Sequence, residues 1–428
     1  AVNGTRSVYA GDMDNDGDTD IIATALNDDE VIVYTNETSG LATASFVSNT
    51  ITTAADGAQS VFSIDVDSDG DMDIISASYY DDKIAWYKNN GAINPTFTSI
   101  NISTNADGAT SVFAADMDND GDIDIISSSG DDDVIAWYEN DGATNPSWSA
   151  ADIATSADGA YSVFAADMDN DGDMDIVSAS ANDDAIAWYE NDGAANPSWS
   201  AADIATSADG AYSVFAADMD NDGDMDIVSA SVNDDAIAWY ENDGAADPSW
   251  AAADIATSAD GTRSVFVADM DSDGDMDIVS ASSDDNTIAW YENDGATNPS
   301  WAASDISTSA DFATSVFVAD MDSDGDMDIV SASANDDAVS IYINDGASDP
   351  SWSVSDISTD ANGARGVFIA DIDNDGDLDI ISASENDDKI AWYQNSAGRN
   401  APQITSVTSS QDNGSYGVGT EIPIFVNY

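Results

Sequence analysis

Eight stretches of this 428-residue chain carry aspartate at every odd position of a nine-residue loop, with glycine at the sixth. The fourth is Asp167-Met168-Asp169-Asn170-Asp171-Gly172-Asp173-Met174-Asp175. Carboxylate oxygens at that density suit a hard cation that wants six to eight oxygen ligands at roughly 2.3–2.6 Å, which describes calcium better than any other common metal. The glycine permits the sharp turn that folds the loop around an ion. By analogy with other calcium loops of this spacing, positions one, three, five and nine supply side-chain oxygens and position seven a backbone carbonyl.

The candidate ligands, one ion per loop and about eight in all, are as follows. Loop one has Asp12, Asp14, Asp16, Asp18 and Asp20; loop two has Asp65, Asp67, Asp69, Asp71 and Asp73. Loop three has Asp116, Asp118, Asp120, Asp122 and Asp124; loop four has Asp167, Asp169, Asp171, Asp173 and Asp175. Loop five has Asp218, Asp220, Asp222, Asp224 and Asp226; loop six has Asp269, Asp271, Asp273, Asp275 and Asp277. Loop seven has Asp320, Asp322, Asp324, Asp326 and Asp328; loop eight has Asp371, Asp373, Asp375, Asp377 and Asp379. One such loop would be weak testimony, because Asp, Asn and Gly are ordinary turn formers. Eight in register, the first interval 53 residues and the other six 51, argue against a merely solvated turn. An EF-hand needs a bidentate acid at position twelve, and counting from Asp116 that position is Ser127. The loop also runs into Ile125-Ile126, a β-prone stretch with no helical period, so EF-hand and dockerin readings fail.

The elements that must hold these loops repeat with them. In the fourth copy Tyr161–Ala166 reads as a strand entering the loop and Ile176–Ser180 as the strand leaving it. Asn182-Asp183-Asp184 reads as a turn, Ala185–Tyr189 as a third strand, Asn191-Asp192-Gly193 as a second turn and Trp199–Thr206 as a fourth strand. Four short antiparallel strands in about fifty residues describe a propeller blade. Large residues (Phe164, Ile186, Trp188) mix with small ones (Ala165, Ala179, Ala187), so both faces of one sheet can mesh with its neighbours. The expected fold is all-β: an eight-bladed propeller of four-stranded antiparallel blades, the acidic loop joining strands one and two of each. The first and seventh copies replace the third-strand Trp by Val33 and Ile341, and the second has Phe97 where later ones have Trp148 or Trp199. Those swaps keep bulk, which favours core packing over a sugar-stacking platform.

Composition narrows the function. Net charge is −78, and the only basic residues are Arg6, Lys83, Lys88, Arg263, Arg365, Lys389 and Arg399, which argues against nucleic acid or an anionic membrane surface as partner. No run of 18 apolar residues offers a membrane span. With no initiator Met and no signal-peptide pattern, Ala1 is expected to begin a processed or trimmed product. Cysteine and histidine are absent, so disulfides, a thiol nucleophile and imidazole proton transfer are all excluded. Residues 151–201 and 202–252 differ only at Ala181/Val232, Asn196/Asp247 and Ser200/Ala251, whereas an active site needs different groups converging on one point. No catalytic residue is expected.

Ser162-Val163-Phe164-Ala165-Ala166-Asp167 followed by the acidic nonapeptide resembles the FG-GAP/VCBS family, the calcium-loop propellers of integrin α-subunits, some fungal lectins and many bacterial surface proteins. The resemblance covers residues 1 to 396 and is nearer the VCBS branch, since the Phe-Gly and Gly-Ala-Pro tripeptides are missing. It implies a non-catalytic, extracellular or cell-surface module in adhesion or matrix assembly, with a protein or glycan partner. A glycan-binding lectin and a polysaccharide-active enzyme are the alternatives. Extracellular calcium modules bind at about 10⁻⁴–10⁻³ M, useful only where calcium is millimolar. Residues 397–428 depart from the repeat and hold two β-prone runs, 403–408 and 421–428, similar to the opening of bacterial immunoglobulin-like or cadherin-like modules. Three readings stand for this tail: the start of a further domain, the strand completing the eighth blade, or a segment (401–428) donated to a neighbouring copy so that molecules join head to tail.

Overall fold

The computed structural model describes residues 4–14, 19–36, 46–91, 96–143, 145–245, 248–370, 377–384, 386, 389–393, 395, 406–409 and 424–427. Each repeat folds as its own antiparallel sheet in which strand order follows chain order. Strands β1–β4 lie within 5–52, β5–β8 within 58–103, β9–β12 within 109–154 and β13–β16 within 160–205. Then come β17–β20 within 211–256, β21–β24 within 262–307, β25–β28 within 313–358, and β29–β31 within 364–393.

The fourth blade shows why. Its first strand, Ala160–Ala166, alternates buried and half-buried residues. Its second, Asp175–Ser180, is buried throughout, because both faces of the sheet are covered. Only small or slender side chains fit there, and Ser178 satisfies its hydroxyl on Tyr189 at 3.3 Å. The fourth strand, Trp199–Ala205, is the rim, with Ser200, Ala201, Ala202 and Asp203 exposed. The apolar core lies between neighbouring sheets: Val177, Ile186 and Trp188 of one blade pack on Val214, Ile227 and Tyr240 of the next. Burying a side chain such as Ile227 completely contributes roughly 1.5–3 kcal/mol. Trp188 is buried and meets Trp250 of the next blade edge-on at 5.9 Å, which places the third-strand tryptophans in the core.

First strands line the axis side by side. Their fifth residues form a closed cycle of aromatic contacts at 4.8–5.5 Å, from Tyr9 through Phe62, Phe113, Phe164, Phe215, Phe266 and Phe317 to Phe368, which returns to Tyr9 at 5.0 Å. Val8, Ile21 and Ala23 of the first unit pack on Ile381 and Ala383 of the last, so the ring is shut by side-chain packing.

The expectation of eight four-stranded blades is corrected: among the described residues seven blades have four strands, and the last unit is a three-stranded sheet whose third strand is β31 (Lys389–Tyr393). The physical reason is in the chain itself, because after Asn395 the turn and the Trp-led fourth strand of the other copies give way to Ser396-Ala397-Gly398-Arg399-Asn400-Ala401-Pro402. In the tail, β32 (Ser406–Ser409) pairs antiparallel with β33 (Ile424–Asn427), and among the described residues neither pairs with β31. The rest of 397–428 lies outside the described residues.

Candidate metal centres

Each acidic loop joins the first strand of its sheet to the second, and in loops two to seven, which are fully described, the backbone is shaped by the loop's own carboxylates. In the fourth, Asp167 accepts the amides of Asp171 (3.1 Å) and Gly172 (3.0 Å), and Asp169 that of Asp171 (3.2 Å). Asp171 accepts the amide of Asp173 at 3.0 Å. Gly172 has φ 97°, a region closed to other residues, and Asn170 sits left-handed at φ 59°. The result collects oxygens. In loops three to five the residues at positions one, three and five (Asp116, Asp118 and Asp120, and their equivalents) each offer a carboxylate oxygen within 4.8 Å of the others. In loops one and two the group is Asp12, Asp14 and Asp20, and Asp65, Asp67 and Asp73; two further groups of this kind occur. Hard, anionic oxygens crowded to this degree fit a divalent cation of the calcium type.

The ninth position has a second part as well. Asp175, the first residue of the second strand, is wholly buried, and its two oxygens accept the backbone amides of Asn191 (2.7 Å) and Met168 (3.1 Å). It clamps the loop shut. Burial pushes its carboxyl up to about 7 despite those two hydrogen bonds, and Asp73, Asp124, Asp226 and Asp277 behave alike. At position three, Asp169 is pushed up to about 6, first by burial and then by the charge of Asp171. Carboxyls raised in this way are ones that a bound cation would hold ionised.

Position seven turns outward from the cluster to the neighbouring loop. Asp173 accepts Asn119 Nδ2 of the preceding loop at 2.5 Å, and Asp224 and Asp275 accept Asn170 (2.6 Å) and Asn221 (2.7 Å) in the same way. Of the loop residues singled out from sequence, Asp16, Asp18, Asp371, Asp373 and Asp375 lie outside the described residues.

Sequence reasoning missed the residue that ties loop to loop. Asn191, taken from sequence as part of a turn, is the last residue of the third strand. Its Nδ2 donates to Met117 O of the preceding blade's loop (2.6 Å) and to Met174 O of its own (3.1 Å), while its Oδ1 accepts Gly193 N (3.1 Å). Asn89, Asn140, Asn242, Asn293, Asn344 and Asn395 make the same cross-blade bond. The available signal was an asparagine sixteen residues after every ninth-position aspartate. A second missed residue is Lys88, whose ammonium pairs with Asp67 and, at 3.4 Å, with Asp69. The equivalent position is Thr35, Glu139, Glu190, Glu241, Glu292 and Ile343 in other copies, so the second loop alone among these carries an internal cation.

With this geometry in hand, comparison with known proteins is direct. The model of the FG-GAP-like repeat matches residues 12–76, 65–127, 116–178, 167–229, 224–280, 269–331 and 324–382. The chain belongs to the FG-GAP-like repeat family. The seven matches overlap, each running from one acidic loop to the strand beyond the next. A search of curated protein sequences finds no match. Among solved structures, this FG-GAP-like chain is similar to an Agrocybe aegerita lectin described for specific recognition of non-reducing terminal N-acetylglucosamine. The TM-score is 0.50 at 18% identity over 72% of this chain and 81% of that one. It is also similar to the V. cholerae biofilm matrix protein Bap1, with a TM-score of 0.50 at 13% identity over 93% of this chain and 87% of that one. At such identities the likeness extends to the propeller fold. No helix among the described residues is long and apolar enough to cross a membrane.

Proposed function

We propose that this chain is a non-catalytic, calcium-stabilised β-propeller acting outside the cell, in surface adhesion or matrix assembly. The observation that carries the reading is the convergence of three carboxylates in loop after loop, linked between blades by asparagine side chains. Two like charges about 4 Å apart repel by roughly 4 kcal/mol at an effective dielectric of 20, so loops of this kind need a counter-ion to close. Metal binding and folding are then one equilibrium, and weak loops of this class work where calcium is millimolar. Residues 1–396 form the propeller unit and 397–428 a separate tail. The lectin and the matrix protein of similar fold support a glycan or protein partner. The test is exhaustive chelation: melting temperature and protease resistance fall, and calcium restores both. If neither moves, the metal reading is wrong.

Assembly of copies is favoured by one further observation, that among the described residues the last sheet has three strands where the other seven have four. A tail strand from a neighbouring copy fits that edge by strand addition. Light scattering of the chain with and without residues 401–428, calcium present, tests it; identical monomers in both samples remove the idea.

A further inference from the structure

The nearly identical repeats differ at one position of the first strand that the loops do not use. Its second residue is arginine in three copies (Arg6, Arg263, Arg365), tyrosine in two (Tyr161, Tyr212), and a smaller polar residue in the rest. This residue is the extra one of a β-bulge. Ala160 pairs with Ser180 and Ser162 with Ala179, leaving Tyr161 unopposed, and the same shift frees Tyr212, Arg263 and Arg365. A bulge re-aims its side chain. Here the re-aimed side chains line a cavity of about 430 Å³ at the ring axis, within the size range of small-molecule sites. It lies at the end of the first strands remote from the acidic loops.

The cavity's chemistry is the reverse of the rest of the molecule. In a chain of net charge −78 with seven basic residues, three arginines line it and no acidic residue does. Arg263 Nε is buried without a hydrogen-bond partner. The Arg263 guanidinium lies 5.4 Å from the Tyr212 ring and 4.9 Å from that of Phe312, and Arg365 lies 5.6 Å from Phe312. Tyr161 and Tyr212 stack at 3.8 Å with their hydroxyls hydrogen-bonded.

Phe312 is a second departure from the repeat at this end of the ring. Other copies have glycine there, such as Gly159 and Gly261, in a left-handed turn. Phe312 keeps that turn at φ 61°, a strained conformation for a bulky residue. Strain of this kind persists only where the surroundings hold it in place, and it gathers at binding sites. Its ring lies under both the Arg263 and the Arg365 guanidinium groups and so holds them at the mouth.

We propose that this axial mouth binds an anionic sugar residue, its carboxylate or sulfate held by Arg263 and Arg365, which the ring faces of Phe312 and Tyr212 hold in place, and its hydroxyls met by Ser264, Thr314 and Ser315 of the cavity lining. Guanidinium groups recognise planar and tetrahedral oxyanions through paired N–H donors. The inference goes beyond the adhesion role by naming a ligand class, and it does not depend on which cation fills the loops.

The experiment is titration calorimetry of the full chain in calcium with galacturonate, galactose 6-sulfate, galactose and inorganic sulfate. Both acidic sugars bind at least about tenfold more tightly than galactose or sulfate. Arg263→Gln and Arg365→Gln each weaken them about tenfold, as loss of a charged hydrogen bond predicts. Phe312→Gly, which restores the residue of the other copies, weakens binding without lowering the melting temperature, and so separates recognition from folding. All three variants keep the calcium-dependent rise in melting temperature. Absence of binding to the folded parent, equal binding of galactose or bare sulfate, or binding untouched by the substitutions overturns the proposal and leaves the metal reading standing.

Discussion

Replacing Asn242 by alanine tests how the ring is held together. The side chain is almost completely buried and makes three hydrogen bonds: to Met168 O of the preceding blade's loop (2.5 Å), to Met225 O of its own loop (3.0 Å) and from Gly244 N (3.0 Å). Each neutral bond contributes about 0.5–1.5 kcal/mol net, and a buried partner left unsatisfied costs about 1–3 kcal/mol. Because water can reach some of the vacated groups, the sum for Asn242→Ala is about 3 kcal/mol rather than the upper limit. Asn242→Asp keeps the shape but turns a carboxylate oxygen toward two carbonyls, so its loss is expected to be larger. Equilibrium urea unfolding with saturating calcium gives the magnitude, with the slope checked, since repeat arrays can lose two-state behaviour. Hydrogen exchange gives the location: protection should drop at the loops of residues 167–175 and 218–226 and not across the ring. A loss under about 0.5 kcal/mol, or one spread evenly over all blades, would refute the claim that these asparagines carry the coupling between loops.

Lys88→Glu should convert the second loop to the pattern of Glu139 and Glu190, raising the number of tightly bound calcium ions by one in a competition titration; an unchanged count would show that Lys88 does not compete with the ion. In the metal-free chain, burial holds Asp169 at about 6 and Asp175 at about 7, both above the ordinary 3.8. A raised carboxyl favours the neutral form in the fold, so its contribution is complete below pH 4 and is lost as pH rises through 6 to 7. The melting temperature of the chelated protein should therefore fall between pH 5 and 8, while calcium flattens or reverses that slope. A chelated protein equally stable across this window would count against the buried carboxylates.

The period of the acidic loops and the alternation in Tyr161–Ala166 made the strands, their order and the loop positions legible in advance. What was hidden shares one cause: a residue's local habit masked its long-range partner. Asn191 precedes Asp-Gly and was taken for a turn former, yet its amide reaches a carbonyl 74 residues earlier in the chain. Asp175 was legible as a candidate ligand, but not as a residue whose burial at a strand start also makes it a clamp on two backbone amides. The near-identity of the copies argued that no point of the ring could gather unlike groups. That argument failed at the bulge, where Tyr212, Arg263 and Arg365 come from different copies and meet because the first strands share one axis. That the described residues of the last unit form three strands rather than four was foreshadowed by the change at Ser396, but nothing local in the tail says which strand it will pair with.

Because every first strand enters at a bulge and leaves into an acidic loop, the arginine-lined mouth and the carboxylate crown sit at opposite ends of the axis, and the mouth shares its end with turn aspartates such as Asp158, Asp183 and Asp184. Both ends then repel a long polyanion, the crown until divalent ions cover it, and only a ligand small enough to enter the mouth reaches the guanidinium groups. Calcium supply would then decide more than whether the ring holds. It would also decide whether discs lying on the same surface repel one another at their outer ends or can come together there.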